Sequence, residues 1–311
     1  MGVLVDLILN DPCDHNFGGP WTQEKLNIIN KYMVSYMNAL KNQPFSYIYI
    51  DAFAGSGERV EDTTKFSETD QLLFGPDEMD QKRKIYDGSA KISLELEKPF
   101  DEYWFIEKNQ SRYEELCDLK NKYPDLKTRI HCIQGDANLL LTDILKRYQW
   151  KKERGILFLD PYGASLKYET LKEIAKCEAI DIWLLFPIGQ GIIRMLANKP
   201  EKISIAWEER LNLVFGCNDW RKEFYSTEQK ETLFEKFDFE TKKADFETVT
   251  NFYKKQLKKI FCAVANGTMY FSNSKNVPLF ALIFAMTNSS PKAQGLALKI
   301  VEHLLKPKGQ T

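Results

Sequence analysis

Four acids in this chain stand where acids do chemistry. Asp51, Glu107, Asp136 and Asp160 each end or closely follow a short apolar run, and three of them have glycine close by. Asp51 is followed by Ala-Phe53-Ala54-Gly55-Ser-Gly57, Asp136 by Ala137-Asn, and Asp160 by Pro161-Tyr162-Gly163. A carboxylate can accept both hydroxyls of a ribose, and another can accept from an adenine amino group. Glycines without a Cβ let the backbone turn sharply and approach such a ligand closely. The Asp160 corner admits two readings. Proline after aspartate with a glycine following is ordinary turn chemistry. The functional reading starts from an exocyclic amine, which attacks a methyl sulfonium only when its lone pair is freed from the ring. The Asp160 carboxylate and the Pro161 carbonyl could accept its two hydrogens while Tyr162 stacks on the base.

Strands must bring these residues to one edge. Residues 47–51 are β-branched and aromatic, then turn at the glycines, which suits a central strand of a parallel sheet covered on both faces. Residues 103–106 (ending in Glu107), 130–133, 155–159 (ending in Asp160) and 180–186 (closed by Pro187) read the same way. Helical spacing marks 22–40, 89–96, 108–123, 139–148, 167–177, 246–260 and 292–305, and two late strands, 268–271 and 279–286, are joined by a Ser/Asn loop short enough for a hairpin. Five strands alternating with helices and then an antiparallel pair predict an α/β fold. It is a doubly wound, seven-stranded, mostly parallel sheet with its final strand inserted antiparallel. Strand ends on one side of such a sheet face one crevice, so Asp51, Glu107 and Asp136 can converge on a single ligand. Phe53, Ala54, Lys108 and Ala137 flank them and complete the cofactor-binding set. Phe186 and Pro187 at the fifth strand, with His15 and Trp21 of the lead-in, are candidate substrate contacts.

The organisation that follows is a lead-in and helix over 1–45 and a Rossmann-like core over 46–197. A helical insertion over 198–245 precedes a closing helix, hairpin and helix over 246–311. The polar, acid-rich stretch 58–88 interrupts the core at the ligand mouth and reads as a lid or binding loop. Trp207 and Trp220 in the second insertion are either core or anchors of an interface.

Composition narrows the class. A chain of 311 residues that is 43% hydrophobic and 28% charged is globular, and its net charge of −1 makes no global basic field. Nucleic acid would need local patches such as Lys82–Lys84, Lys151-Lys152 with Arg154, or Lys254, Lys255, Lys258 and Lys259, each of which also reads as a solvated face. Six cysteines without CxxC spacing look like buried thiols in a reducing cytosol, not a disulfide framework or metal site. The first ten residues make a poor signal peptide, and no run reaches membrane-spanning length, so the expectation is cytoplasmic.

On these motifs the chain resembles class I S-adenosylmethionine-dependent methyltransferases acting on nucleic-acid amines. The likeness is carried by Asp51-Ala-Phe-Ala-Gly-Ser-Gly57, Phe105-Ile-Glu-Lys-Asn109 and Asp160-Pro-Tyr-Gly163. The last is similar to the Asp-Pro-Phe-Gly of tRNA guanine-N2 methyltransferases. Trp21-Thr-Gln-Glu-Lys-Leu26, Tyr49-Ile-Asp-Ala-Phe-Ala-Gly-Ser-Gly57, Asp160-Pro-Tyr-Gly163 and Phe280-Ala-Leu-Ile-Phe-Ala285 together resemble the three-Cys-motif partner family, TcmP, over nearly the whole chain. The resemblance implies a methyltransferase-like fold with S-adenosylmethionine as cofactor. It also implies a three-Cys-motif partner protein that looks like a radical S-adenosylmethionine enzyme. Carried over, Asp51, Gly55 and Gly57 hold the methionine end, Glu107 the ribose and Asp136 the adenine. One departure stands out: the second proline of the usual Asn/Asp-Pro-Pro-Tyr/Phe is absent.

Rival readings use the same residues. A nicotinamide-dependent dehydrogenase would want glycine where Val60 stands and an acid about 20 residues on, whereas Glu107 lies much further along. A P-loop lacks its Gly-Lys-Ser/Thr. Carbon methylation through a cysteine adduct would want Cys beside Pro161. A cofactor-binding but catalytically idle subunit, docked through 198–241, stays open.

Overall fold

The structure is a computed structural model and describes residues 20–56, 88–231 and 236–306. Gly57, His15, Cys13, Lys82–Lys84 and the expected lid over 58–87 lie outside the described residues.

Helix α1 (Pro20–Leu40) leads into β1 (Ser46–Asp51). After α2 (Ser89–Leu94) come β2 (Glu102–Glu107), α3 (Gln110–Asn121), β3 (Ile130–Gln134), α4 (Ala137–Leu145), β4 (Glu153–Leu159), α5 (Tyr168–Ala175) and β5 (Ile180–Phe186). The strands lie in the order β3-β2-β1-β4-β5, all parallel, with the chain reversal between β1 and β4 at the middle of the sheet. Their side chains alternate between faces. Ile48, Ile50, Leu157 and Leu159 pack under α4 and α5, while Tyr49, Ile156 and Phe158 pack under α1, α2 and α3. Burial on both faces explains why these strands read as unbroken apolar runs.

The late hairpin forms as expected. β9 (Met269–Ser272) pairs antiparallel with β10 (Pro278–Met286), and β10 lies antiparallel beside β5 with Leu282 opposite Leu185. Among the described residues the sheet has the seven expected strands and one short addition, the two-residue β8 (Ala263–Val264), which shares the outer edge of β10 with β9. The break between β8 and β9 has a cause. Lys254, on α8 (Phe246–Lys258), donates to the carbonyls of Asn266 and Gly267 at 2.6 and 3.2 Å and to Thr268 Oγ1 at 2.9 Å. Carbonyls turned to an ammonium are lost to the ladder. Lys254 is therefore buried and no part of a basic face, and the Arg154 guanidinium carbon sits 3.7 Å from the centre of the Phe45 ring. Helix α9 (Pro291–Leu304) returns alongside α1.

The second insertion is only half helical. It contains α6 (Ile205–Phe215) and α7 (Trp220–Phe224), then a two-stranded antiparallel ribbon of β6 (Tyr225–Glu231) and β7 (Lys236–Lys242). The period-two pattern Phe237, Phe239, Thr241 suits β7. Gly216 ends α6 in the left-handed region at φ 70°, and a Cβ there would meet the Tyr168 ring. Trp220 is an element of the core: it is wholly buried and its Nε1 donates to Asn212 Oδ1 at 2.7 Å. Trp220→Ala should cost about 3–5 kcal/mol, read as a lower denaturant midpoint; an unchanged midpoint would return it to the surface. Among the described cysteines Cys177 is buried, Cys262 is exposed and the others are half-buried, so the expectation of uniformly buried thiols fails. No helix among the described residues is long and apolar enough to cross a membrane.

Candidate active site

The carboxyl ends of β1, β2 and β4 meet around the first glycine turn. Asp51 is fully buried; its Oδ1 accepts from Phe53 N at 3.2 Å, and Ser89, at the start of α2, hydrogen-bonds the same carboxylate. Its Oδ2 has no hydrogen-bond partner among the described residues. Burial pushes the Asp51 carboxyl up to about 7, with the Asp160 charge adding to the effect and Ser89, the Phe53 N–H and Lys25 opposing it. Gly55 adopts φ 66°, a conformation that side chains resist, and donates its N–H to Glu107 Oε2 at 3.0 Å. Ala54 N bonds the Ile106 carbonyl at 2.9 Å, tying the turn to the neighbouring strand.

Glu107 thus braces the glycine turn. Its Oε1 accepts from Asn109 N at 2.7 Å, and Asn109 in turn caps α3. Burial raises its carboxyl above the usual range, against the backbone donors and the Arg112 guanidinium. Asp136 is the N-cap of α4: Oδ1 accepts from Asn138 N and Nδ2 at 2.9 and 3.0 Å, and Oδ2 lies 3.7 Å from Lys108 Nζ. Its half-buried side chain is pushed up by burial, but the two Asn138 bonds and the lysines outweigh that and lower it. Ala137 opens α4, and Gly135 N bonds the Glu107 carbonyl at 3.0 Å, so β2 and β3 end side by side.

Asp160 has a partner that motif reading missed. Lys25, in the second turn of α1, donates to Asp160 Oδ2 at 3.0 Å, with the two side chains 0% and 3% exposed. The ammonium also sits 5.4 Å from the centre of the Phe158 ring. Lys25 occupies a helical position that continues the apolar stripe of Ile29, Met33 and Tyr36, and a lysine on a buried face is the signal that could have found it. Ser89 and Arg112 were missed as well. The Arg112 guanidinium is 6.0 Å from the Tyr162 ring centre and also acts on Glu107, so it links the two sides of the crevice.

The expected substrate contacts fare unevenly. Pro161, Phe186 and Pro187 line, with Tyr253, a hollow of only about 10 Å³. The Phe186 ring is buried and stacked on Tyr253 at 4.1 Å, so it forms a wall of the core and offers no face for a base. Trp21 belongs to α1, at the end of the helix that carries Lys25. Among the described residues no group of three or more His, Cys, Asp or Glu could hold a metal ion.

Fold and strand-end residues define a doubly wound α/β protein whose acids Asp51, Glu107 and Asp160 end or follow strands on the carboxyl side, next to the point where strand order reverses. No family model and no curated protein matches the chain. Among solved structures, protein LPL1258 from Legionella pneumophila str. Philadelphia 1 is 13% identical, covers 91% of this chain and 93% of its own, and superposes with a TM-score of 0.44. The methyltransferase domain of bacterial CtHen1-CN is 10% identical over 86% of this chain and 100% of its own, TM-score 0.36. The glycopeptide N-methyltransferase MtfA, complexed with S-adenosyl-L-homocysteine, is 10% identical over 90% and 96%, TM-score 0.32. Likenesses this distant transfer no chemistry, and the class rests on the chain's own strand order and strand-end residues.

Proposed function

We propose that this protein is an S-adenosylmethionine-dependent methyltransferase whose acceptor is an exocyclic amine of a nucleic-acid base, in RNA or DNA. The observation that supports this most directly is Asp51 Oδ2, a buried acceptor without a described partner at the glycine turn. Buried polar atoms are nearly always satisfied, and an α-ammonium fits this one. In this reading Asp51 and the backbone of Phe53 to Gly57 hold the methionine end. Glu107 faces the ribose, and Asp136, Ala137 and Lys108 face the adenine. When bound, S-adenosylmethionine supplies an electrophilic methyl group. Asp160 would accept one hydrogen of the amine and the Pro161 carbonyl the other, leaving the nitrogen lone pair free to attack, and the proton that the nitrogen sheds on methylation would pass to the Asp160 carboxylate. Lys25 fixes the orientation of the Asp160 carboxylate, and burial of the pair keeps water from competing for it.

A second reading keeps the cofactor and drops the transfer: a TcmP-like subunit docked on a three-Cys-motif protein. Ile205 and Leu213, 78% and 45% exposed on α6, favour it, although Trp220 does not contribute. Incubation with tritiated methyl donor and separate pools of RNA, DNA and protein separates the two. Label in a nucleic-acid pool that disappears with Asp160→Ala supports transfer. Cofactor binding with label in no pool supports docking, and label in protein alone removes the nucleic-acid acceptor.

The titration of Asp51 gives a sharper check on cofactor placement. An ammonium pairs with the ionised carboxylate, so affinity for S-adenosylmethionine should rise with pH up to the Asp51 value of about 7 and level above it. The slope below that value approaches about tenfold per pH unit, and Asp51→Asn should flatten it in calorimetric titrations. In the free protein the sign reverses. A raised carboxyl contributes stability that is fully present below its unfolded value and is lost as pH rises through about 7.

A further inference from the structure

A second cleft lies at the opposite, amino end of the sheet. Arg154 stands near the start of β4, Asp181 near the start of β5 and Met286 at the end of the antiparallel β10, so all three share that edge. They floor a cleft of about 80 Å³ between α1 and α9 that is partly open to solvent, so a ligand seats its head there and leaves part of its body at the mouth. The gap exists because Ala39, Ala293 and Ala297 are too short to fill it.

Its polar groups are few and fixed. Asp181 is 6% exposed, and its Oδ2 accepts the Tyr32 hydroxyl at 2.6 Å. Tyr32 is held edge-on by Trp183 and tilted against Phe284, each at 5.2 Å. Oδ1 of Asp181 accepts no hydrogen bond from the described residues. Arg154 is anchored through Nη1 to the carbonyls of Trp150 and Glu153 at 2.9 and 2.7 Å, and its other nitrogens stay available as donors. An unclaimed carboxylate oxygen beside an arginine, under largely apolar walls, suits neither a lone cation nor a lone anion. Each would meet a like charge.

We propose that this cleft binds a small neutral molecule with an apolar or aromatic body and one head group that both donates and accepts hydrogen bonds, such as a carboxamide. The head donates to Asp181 Oδ1 and accepts from Arg154, and the body lies against Leu296, Ala297 and Met286. Burial pushes the Asp181 carboxyl to about 7, against Tyr32 and Arg154, so above that pH its free oxygen is an acceptor only, and the titrations below are read there. Tyr36, the other titratable group on the wall, is raised by burial and stays neutral.

The probe is benzamide, titrated into the full chain carrying ¹³C-methyl methionine, with the Met286 resonance as readout. It should shift saturably at about millimolar concentration, as befits a ligand of this size. Benzylamine and benzoate should bind at least about fivefold more weakly. Asp181→Asn turns an amide N–H₂ toward the ligand once Tyr32 has claimed the oxygen, and should weaken benzamide by at least about fivefold. Leu296 is 38% exposed at the mouth, so Leu296→Trp blocks the cleft without entering the core and should abolish the shift. No saturable shift up to about 10 mM, equal shifts from all three probes, or a shift that survives Leu296→Trp would each overturn the proposal. Should Asp181→Asn fail to fold, the charged probes and Leu296→Trp decide it.

Discussion

Lys25→Met should abolish methyl transfer and cost about 3–5 kcal/mol of stability, the usual consequence of removing one partner of a buried ion pair. Methionine keeps the length of the side chain against Phe158 but leaves the Asp160 carboxylate, at 3.0 Å, without its ammonium. The double variant Lys25→Met, Asp160→Leu removes both charges and should recover most of the stability, since an apolar replacement of a buried pair is often neutral or better. It should stay inactive. Asp160→Ala alone should lower the transfer rate about 10²–10³-fold while cofactor affinity stays nearly unchanged. Urea midpoints and single-turnover methyl transfer read the two effects separately. Equal stability of single and double variants would show that the pair is uncoupled, and an active Lys25→Met enzyme would show that Lys25 does not position Asp160.

Glu107→Ala should weaken S-adenosylmethionine binding tenfold or more. The carboxylate accepts Gly55 N at 3.0 Å and Asn109 N at 2.7 Å, so its loss frees the glycine turn as well as any ribose contact. Bonds to a charged acceptor are worth about 1.5–3 kcal/mol each. Glu107→Gln retains one acceptor oxygen, presents an N–H₂ to the other donor, and should fall between alanine and wild type. Calorimetry measures the affinity, and amide exchange at Gly55 and Asn109 measures the turn. Faster exchange with weaker binding is the expected pair of results; exchange as slow as in wild type would mean that Glu107 does not hold the turn.

Much of the architecture was legible because it depends on local pattern. A parallel strand covered on both faces has to be apolar throughout, which is why residues 47–51, 155–159 and 180–186 stood out and why β5 runs from Ile180 to Phe186 as expected. The hairpin of β9 and β10 announced itself by its turn residues. What stayed hidden was long-range. Lys25 and Asp160 are 135 residues apart, and nothing local says that a lysine on an apolar stripe has found a carboxylate. β6 is hard to read in the sequence because Tyr225–Glu231 is polar without apolar alternation, and among the described residues its pairing partner is β7. Glu107 was expected as a ligand contact, and its bond to Gly55 shows a second task that no motif encodes.

The packing of α1 also dictates when, during synthesis, the reactive corner can exist. Among the described elements it leaves the ribosome first, yet Lys25 awaits Asp160, and Tyr32 awaits Asp181 and Phe284 from near the far end of the chain. The nascent helix therefore carries an unmatched ammonium and a bare apolar stripe until almost every other piece has emerged, a late closure that slows folding and exposes the chain to aggregation. A chain stopped before β10 would leave Tyr32 without the Phe284 ring that packs against it.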